Sequence, residues 1–299
     1  MWFVYASIIL FTPHIECVGR WDVFSTNTLL QWVNSSLRHE SDRIDNNINF
    51  GVSTTVCKSI HLSMMVKNGA HYPSETQMHR IKTLHEKIVK LKDPKKFVDL
   101  DNWKLRYDMN MAGELTSKGI EEITELGNRF GKMFTPVLKQ DPKNEVEILS
   151  SDDQKSINSS KYFELGLRNQ IINMNIHNRE INNTELNIVK HCYNFERHQQ
   201  DDSNSLKQFH LFSKTPEFMA IVNSVRRKLG MSNNLAAADL YLINEWCAYG
   251  TYISNDMTWC QLLSDEDRGV LEYGQDILNF YRYSYGQSIN SRMMCPLLK

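Results

Sequence analysis

Residues 67–73 have the side chains and spacing of a phosphate-binding turn, and we call them the anion turn. Two potential cations, Lys67 and His71, flank a glycine that lets a ligand approach the backbone closely. The mostly apolar segment 60–66 precedes the turn and predicts a buried strand. Ser74, with a glutamine three residues later, predicts a capped helix start. A turn between a strand and a helix N-terminus is the usual place for an anion in an α/β protein.

A second strand–loop–helix unit follows later in the chain and again carries a cation in its loop. Residues 146–149 predict a short strand, Lys155 lies in the loop after it, and helical spacing runs through 157–167. Taken together, Lys67, His71 and Lys155 predict an anion-binding site. The alternative, that they are three ordinary surface cations, stays open.

The order of these patterns predicts an α/β core followed by a helical half. We predict a signal peptide at residues 1–19, an α/β core at 20–168 and a helical subdomain at 169–299, with an irregular, Asn-rich stretch at 169–205. Only two strands are clear, so the core is expected to be incomplete, with its C-terminal return absent. Helical patterns begin at Ser74 and cover 116–134, 215–229, 235–249 and 265–285.

The bulk composition limits the possible partners. The 299 residues are 41% hydrophobic and 23% charged with a net charge of −1, so bulk electrostatics give no reason to expect a nucleic acid or an anionic membrane as partner. No segment approaches about 18 uninterrupted apolar residues, so no membrane span is expected. The sequence contains no metal-binding or nucleotide-binding motif, and we expect neither a metal nor another cofactor.

Several features favour the secretory pathway, with the endoplasmic reticulum lumen or the exterior as destination. The apolar segment 2–12 resembles the core of a secretory signal, although a buried N-terminal strand is the alternative reading. A secretory route favours disulfides, and among six cysteines the best local pair is Cys247 with Cys260. Candidate glycosylation sites are Asn34, Asn158 and Asn182.

The anion turn resembles the Arg-His-Gly-x-Arg-x-Pro motif of the histidine acid phosphatases, through Gly69 and Pro73. Within that family, the multiple inositol polyphosphate phosphatases are the most similar. The resemblance covers nearly all of residues 24–299, and further segments agree in order and spacing: 24–28, 113–119, 150–160, 212–217, 259–260, 270–273 and 285–292. It implies a histidine-phosphatase-like α/β core with a helical subdomain.

The family's chemistry implies that this chain has lost catalytic groups. Family members hydrolyse phosphomonoesters through a phosphohistidine, with arginines holding the phosphate oxygens. By the resemblance, the nucleophile position is Asn68, the motif arginines are Lys67 and His71, and the later arginine is Lys155. The family's late His-Ala-Glu segment has no counterpart in this sequence. A displaced nucleophilic role for His71 is an alternative, although its position implies the wrong aim.

Three functional hypotheses follow. The first is a secreted or lumenal pseudoenzyme that lacks normal turnover and binds inositol phosphates, another phosphomonoester or a protein partner. The second is an active phosphatase of the multiple inositol polyphosphate type. The third is a shortened gene product without a stable function.

Overall fold

The computed structural model describes residues 62–138, 145–171, 175–182, 186–187, 192–201, 203–232 and 235–292. The predicted signal peptide, Asn34 and the cysteines at positions 17, 57 and 295 lie outside these residues. Two strands are described, β1 (Glu145–Ser150) and β2 (Asn175–Ile181). The helices are α1 (Glu75–Leu91), α2 (Ser117–Met133), α3 (Thr135–Leu138), α4 (Gln154–Gln170), α5 (Tyr193–Asp201), α6 (Ser203–Phe212), α7 (Pro216–Leu229), α8 (Ala237–Tyr249), α9 (Asp265–Tyr283) and α10 (Ser288–Arg292).

Helix α1 begins at the predicted capping box, directly after the anion turn. The Ser74 hydroxyl oxygen accepts the backbone N–H of Gln77 at 3.3 Å, and the Gln77 side-chain oxygen accepts the backbone N–H of Ser74 at 2.8 Å. These two bonds satisfy N–H groups that a helix start leaves open. Its buried face consists of four apolar side chains at helical spacing, Met78, Ile81, Leu84 and Ile88.

A large hydrophobic core joins α1 to the helical half of the chain. Helix α7 starts at its predicted Thr215 cap and ends at Gly230, whose φ of 64° is left-handed. It packs with α1 and α8, and the fully buried side chains include Ile81, Ile88, Phe218, Ile221, Leu240 and Ile243. The apolar faces of these helices are buried inside the protein. None of the described helices is both long and apolar enough to cross a membrane.

A smaller core lies under the two-stranded sheet. Strands β1 and β2 run parallel, and α4 connects them in the chain. Ile123, Phe163, Leu167 and Ile171 form the buried part of this core. Helices α2 and α4 approach so closely that a side chain at Gly127 would place its Cβ 2.3 Å from the Phe163 carbonyl oxygen.

The predicted disulfide pair is bonded in the structure. Cys247, in the last turn of α8, is joined to Cys260, in a 3-10 turn (Trp259–Leu262), with 4.6 Å between their Cα atoms. The bond closes the segment that holds a short π-helical turn (Gly250–Ser254). Cys192 forms no disulfide with any other cysteine in the described ranges.

Three local predictions are wrong. Lys155, predicted in the loop after β1, lies in the first turn of α4. The strand predicted at 60–66 is not formed in its described part, 62–66, where Leu62 and Met64 are 38% and 39% exposed and therefore lack the expected burial. The stretch predicted as irregular at 169–205 instead contains β2, the whole of α5 and the first turn of α6. Since β2 pairs with β1, a strand of the sheet lies beyond the boundary predicted at 168. The domain division as a whole stays a prediction.

Candidate functional site

Backbone hydrogen bonds fasten the anion turn to the segment that leads into α2. The Thr116 N–H and hydroxyl both donate to the Ala70 carbonyl oxygen, at 3.0 and 3.1 Å. The Tyr72 N–H donates to the Glu114 carbonyl oxygen at 2.8 Å. Thr116 also caps α2, because its hydroxyl oxygen accepts the third N–H of the helix at 3.0 Å. The position of the turn is therefore tied to the start of a helix.

Glycines allow this close approach on both sides. A Cβ at Gly69 would lie 2.6 Å from the Gly119 carbonyl oxygen and 2.8 Å from the Ile123 Cγ1. A Cβ at Gly119 would lie 2.0 Å from the Ala70 carbonyl oxygen. These distances are too short for any side chain, so both positions require glycine for steric reasons rather than for backbone conformation.

Two serines at the start of α4 contact the turn from the other strand–loop–helix unit. The Gly69 N–H donates to the Ser159 hydroxyl oxygen at 3.0 Å, and the Ser156 hydroxyl donates to the Asn68 Oδ1 at 3.0 Å. In addition, the hydroxyl of Ser151, a buried residue, donates to the Ser156 hydroxyl oxygen at 2.8 Å. The predicted nucleophile position is thus held through its side-chain carbonyl, with the Nδ2 donor group left on the other branch of the amide.

The electrostatics of His71 indicate that the predicted cations lie near one another. Its pKa is lowered chiefly by partial burial, and the charges of Lys155 and Lys67 lower it further. The Tyr72 carbonyl oxygen and the charge of Asp153 act in the opposite direction. Lys155 is adjacent in sequence to the serine that contacts Asn68, so all four predicted site residues belong to one constellation.

Lys67 keeps much of its side chain in solvent. The protein around it lowers its pKa by desolvation, and the Glu122 carboxylate opposes that effect. Because the residue is exposed and the ordinary pKa of a lysine is about 10.4, we expect the ammonium group to stay protonated near neutral pH. Lys67 can therefore supply positive charge at the rim of the turn.

The first turn of α4 adds backbone donors beside Lys155. This helix begins after Asp153, whose side chain does not cap it, so the first-turn N–H groups have no capping side chain at that position. Amide donors and cations around a turn suit a ligand with many acceptor oxygens, such as a phosphate group. Within the described ranges, no three His, Cys, Asp or Glu side chains gather as metal ligands would.

Sequence reasoning proposed the charged positions of the candidate site but missed the hydroxyl groups that hold the turn. Ser156 and Ser159 lie three residues apart on α4, so both face the same side of the helix. That spacing, directly after the cation Lys155, is the signal that could have identified them. The contacts themselves are 88 and 90 residues apart in sequence, and no local pattern encodes such pairs.

The described glycosylation candidates differ in their surroundings. Asn158 is half-buried on α4, and its Nδ2 donates to the Glu114 Oε2 at 3.4 Å. Asn182 follows β2, and its backbone N–H donates to the Ser150 carbonyl oxygen at 2.9 Å. Modification of Asn158 would have to break its side-chain contact, and both sites stay predictions.

Comparisons with known proteins give the family and the fold. The model of the histidine phosphatase superfamily (branch 2) matches residues 46–299. Multiple inositol polyphosphate phosphatase 1 of Gallus gallus is 23% identical over 290 residues, which are 95% of this chain and 64% of that protein. The Homo sapiens protein of the same name is 23% identical over 265 residues, covering 81% of this chain and 54% of its own length.

Two solved structures have a similar fold. The phytase from D. castellii superimposes with a TM-score of 0.60 and 16% identity, over 77% of this chain and 53% of that one. The Bifidobacterium longum multiple inositol polyphosphate phosphatase, in complex with inositol hexasulfate, gives a TM-score of 0.54 and 12% identity, over 77% of this chain and 65% of that one. Both likenesses confirm the predicted fold class.

The match extends over most of this chain but over less of its relatives. The chain spans between about half and two thirds of the length of the curated relatives named above, at 54% and 64%. The predicted resemblance to multiple inositol polyphosphate phosphatases is confirmed by these relatives. Since the family model covers residues 46–299, the chain belongs to branch 2 of the histidine phosphatase superfamily.

Proposed function

We propose that this chain binds phosphate groups, those of an inositol polyphosphate or another phosphomonoester, and that its hydrolytic turnover is lost or strongly impaired. The observation that carries the proposal is the Asn68 side chain, which the Ser156 hydroxyl holds through Oδ1 at the predicted nucleophile position. An amide nitrogen has its lone pair delocalised into the carbonyl group, so it can donate a hydrogen bond to phosphate but cannot attack phosphorus.

The remaining charges support binding more than catalysis. Lysine at positions 67 and 155 offers a point charge, and lacks the planar fork with which arginine holds two phosphate oxygens at once. His71 carries charge only when protonated, and its lowered pKa restricts that state to more acidic conditions. Loss of a covalent nucleophile alone costs on the order of a million-fold in turnover.

The proposed ligand class is supported by the relatives. Two of them are named for inositol polyphosphates, and one solved relative was crystallised with inositol hexasulfate. A polyanion of that kind presents many acceptor oxygens, and it can engage several separate cations at the same time. Lys67 and Lys155 lie on different elements, so they would contact different oxygens of such a ligand.

Residual phosphatase activity through His71 is a second candidate. The His71 Nδ1 lies 2.9 Å from the Tyr72 carbonyl oxygen, which can only accept, so Nδ1 carries the hydrogen and the neutral ring keeps a lone pair on Nε2. The lowered pKa favours that neutral form. Acid-labile phosphate bound to the protein after incubation with substrate, and absent from His71→Ala, would support this candidate.

The direct test measures turnover and binding on the purified chain. We expect no phosphate release from inositol hexakisphosphate or a chromogenic ester above a blank, and measurable heat on titration with the same inositol phosphate. Lys155→Ala should weaken binding, whereas Lys161→Ala, a matched exposed lysine two turns along α4, should not. Release at the rate of an active family enzyme would refute the proposal, and a chain that gives no heat and no thermal shift would support the hypothesis of a non-functional fragment.

We also propose that the chain enters the secretory pathway, with the lumen of the endoplasmic reticulum or the exterior as destination. The apolar segment within residues 1–19 and the disulfide between Cys247 and Cys260 support this, since disulfides persist in oxidising compartments. Expression of the chain with a C-terminal tag, followed by fractionation and glycosidase treatment, tests the destination and the candidate sequons together. A tagged chain confined to the cytosol would contradict the proposal.

A further inference from the structure

The side chain at the predicted nucleophile position is held by a directed chain of hydrogen bonds. Asn68 Oδ1 is a carbonyl oxygen and can only accept, so the Ser156 hydroxyl must be the donor in the 3.0 Å contact between them. The Ser156 oxygen in turn accepts the hydroxyl of Ser151, at 2.8 Å. Ser151 is 3% exposed, so the start of this chain is shielded from competing water.

This arrangement fixes which end of the amide is available to a ligand. With Oδ1 bound to Ser156, the Nδ2 group and its two hydrogens lie on the opposite branch of the carboxamide. Without a partner on Oδ1, the amide could rotate about χ2 and present either its donor or its acceptor. An acceptor beside a phosphate oxygen would repel it, whereas a donor would bind it.

We propose that Ser156 is a positioning residue for the anion site: it orients the Asn68 carboxamide so that Nδ2 donates to the bound phosphate group. The inference rests on the proposed phosphate-binding function and adds a role that the charged residues do not have. Ser159 makes a separate contact, to the backbone N–H of Gly69, and so holds the turn rather than the amide.

The orientation of the Asn68 amide also determines which ligand groups the site can bind. Lys67, Lys155 and the Asn68 Nδ2 group are all donors, so a ligand group that has only acceptor oxygens satisfies them together. A ligand group that needs an acceptor from the protein, such as an ammonium or a free hydroxyl hydrogen, finds none on Asn68. Ser156 would therefore contribute to selection of deprotonated phosphate over uncharged polar groups.

A double-mutant cycle on binding separates positioning from a merely structural role. Dissociation constants for inositol hexakisphosphate would be measured by calorimetry for wild type, Ser156→Ala, Asn68→Ala and the double variant. We expect Ser156→Ala to weaken binding about 3- to 10-fold, the usual range for one hydrogen bond. If Ser156 acts through Asn68, it has no further effect in the Asn68→Ala background. Ser156→Thr keeps the hydroxyl and should retain wild-type affinity.

A second variant tests the direction of the amide. Asn68→Asp keeps an acceptor for Ser156 but turns a negatively charged oxygen toward the ligand, so it should bind more weakly than Asn68→Ala. Binding by Asn68→Asp that equals or exceeds that of Asn68→Ala would overturn the inference. So would an equal loss from Ser156→Ala in both backgrounds, or no loss at all.

The outcomes also distinguish the inference from the function on which it rests. If wild type binds and the variants of Ser156 and Asn68 bind equally well, the proposed function stands and the positioning role fails. If wild type binds neither inositol hexakisphosphate nor inorganic phosphate, both fail. Melting temperatures of all variants, measured without ligand, identify any loss that arises from unfolding instead of from the site.

Discussion

The two hydrophobic cores border the anion turn, and they are built in different ways. The larger core joins α1, which leaves the turn, to α7 and α8, and its buried side chains are large and apolar. In the smaller core, α2 and α4 approach through glycines, and the turn is attached there by Thr116, Ser159 and backbone carbonyls. We infer that the larger core supplies most of the stability of the fold, whereas the smaller core fixes the geometry of the site. Substitutions in the larger core should therefore change mainly the free energy of unfolding, and substitutions in the smaller core should change mainly ligand binding.

A truncation in the larger core should give the largest loss of stability. Leu240, on α8, is 0% exposed, and Leu240→Ala should lower the free energy of unfolding by about 2–5 kcal/mol through lost burial and a residual cavity. Urea unfolding followed by circular dichroism measures this. The control is Leu211→Ala, the same change at a residue that is 54% exposed, for which we expect less than about 0.5 kcal/mol. Equal losses would contradict the assignment of the larger core.

Removal of the disulfide should have the next largest effect. The bond between Cys247 and Cys260 spans 13 residues, for which the loss of chain entropy in the unfolded state predicts about 3 kcal/mol of stabilisation. Cys247→Ser combined with Cys260→Ser should therefore lower the melting temperature. A reducing agent should do the same to wild type and change nothing in the double variant; a further decrease in the variant would show that another disulfide contributes.

A substitution where the anion turn is attached to α2 should lower the free energy of unfolding by less, but it should also weaken ligand binding. Thr116→Ala removes a helix cap and one bond to the Ala70 carbonyl oxygen, for a loss of about 1–2 kcal/mol. Because the turn is held by that bond, we also expect weaker binding of inositol hexakisphosphate. The matched control is Thr83→Ala, at a solvent-exposed position in the middle of α1, which should leave binding unchanged. Binding that is unaffected by Thr116→Ala would refute the link between this attachment and the site.

Binding should depend on pH through His71. Since its pKa lies below the ordinary value, the ring gains its charge only at pH values below about 6.5, and affinity for a phosphate group should rise as pH falls through that lowered pKa. His71→Gln should remove this rise in affinity at low pH, and the affinity lost there should correspond to about one hydrogen bond to a charged group. Lys155→Ala should instead lower affinity at every pH. Calorimetric titration between pH 5 and pH 8 measures both. A steep rise that persists in His71→Gln would show that a protein group other than His71 gains the proton, because protonation of the phosphate itself weakens its attraction to cations.

The smallest effect on stability is expected from a substitution at Glu245, where the larger core meets the start of α1. The Glu245 carboxylate accepts a hydrogen bond from the Gln77 side chain, and burial raises its pKa. The neutral form is therefore favoured in the folded state, and the resulting stability is present below the unfolded-state pKa and lost as pH rises through the folded-state pKa. Glu245→Gln should melt at a higher temperature than wild type near pH 8, and the difference should vanish near pH 4. A lower melting temperature for the variant at pH 8 would contradict this.

The sequence was sufficient for elements whose boundaries are encoded locally. Ser74 with Gln77, and Thr215 with Gly230, mark helix ends by side-chain and backbone chemistry within a few residues, and those helices are observed. Strand β2 was missed because it contains few apolar residues and forms by pairing with β1, a contact that local periodicity does not report.

The candidate site likewise combines features that are encoded locally with features that depend on the whole fold. Lys67, His71 and Lys155 were predicted from residue types and spacing, and the resemblance added Asn68, because a motif is read along the chain. The contacts of Ser156 and Ser159 with the turn depend on how α4 is placed against it, and such packing is decided by the whole fold. The sequence was enough to propose the residues of the candidate site, whereas the orientation of the Asn68 amide required three-dimensional coordinates.

The contact between Gly119 and Ala70 has a mechanical consequence. A Cβ at Gly119 would lie only 2.0 Å from the Ala70 carbonyl oxygen, so the turn packs directly against the backbone of the first turn of α2, with no side chain between them. Movement of the turn toward α2 would therefore have to displace the backbone of that helix as well.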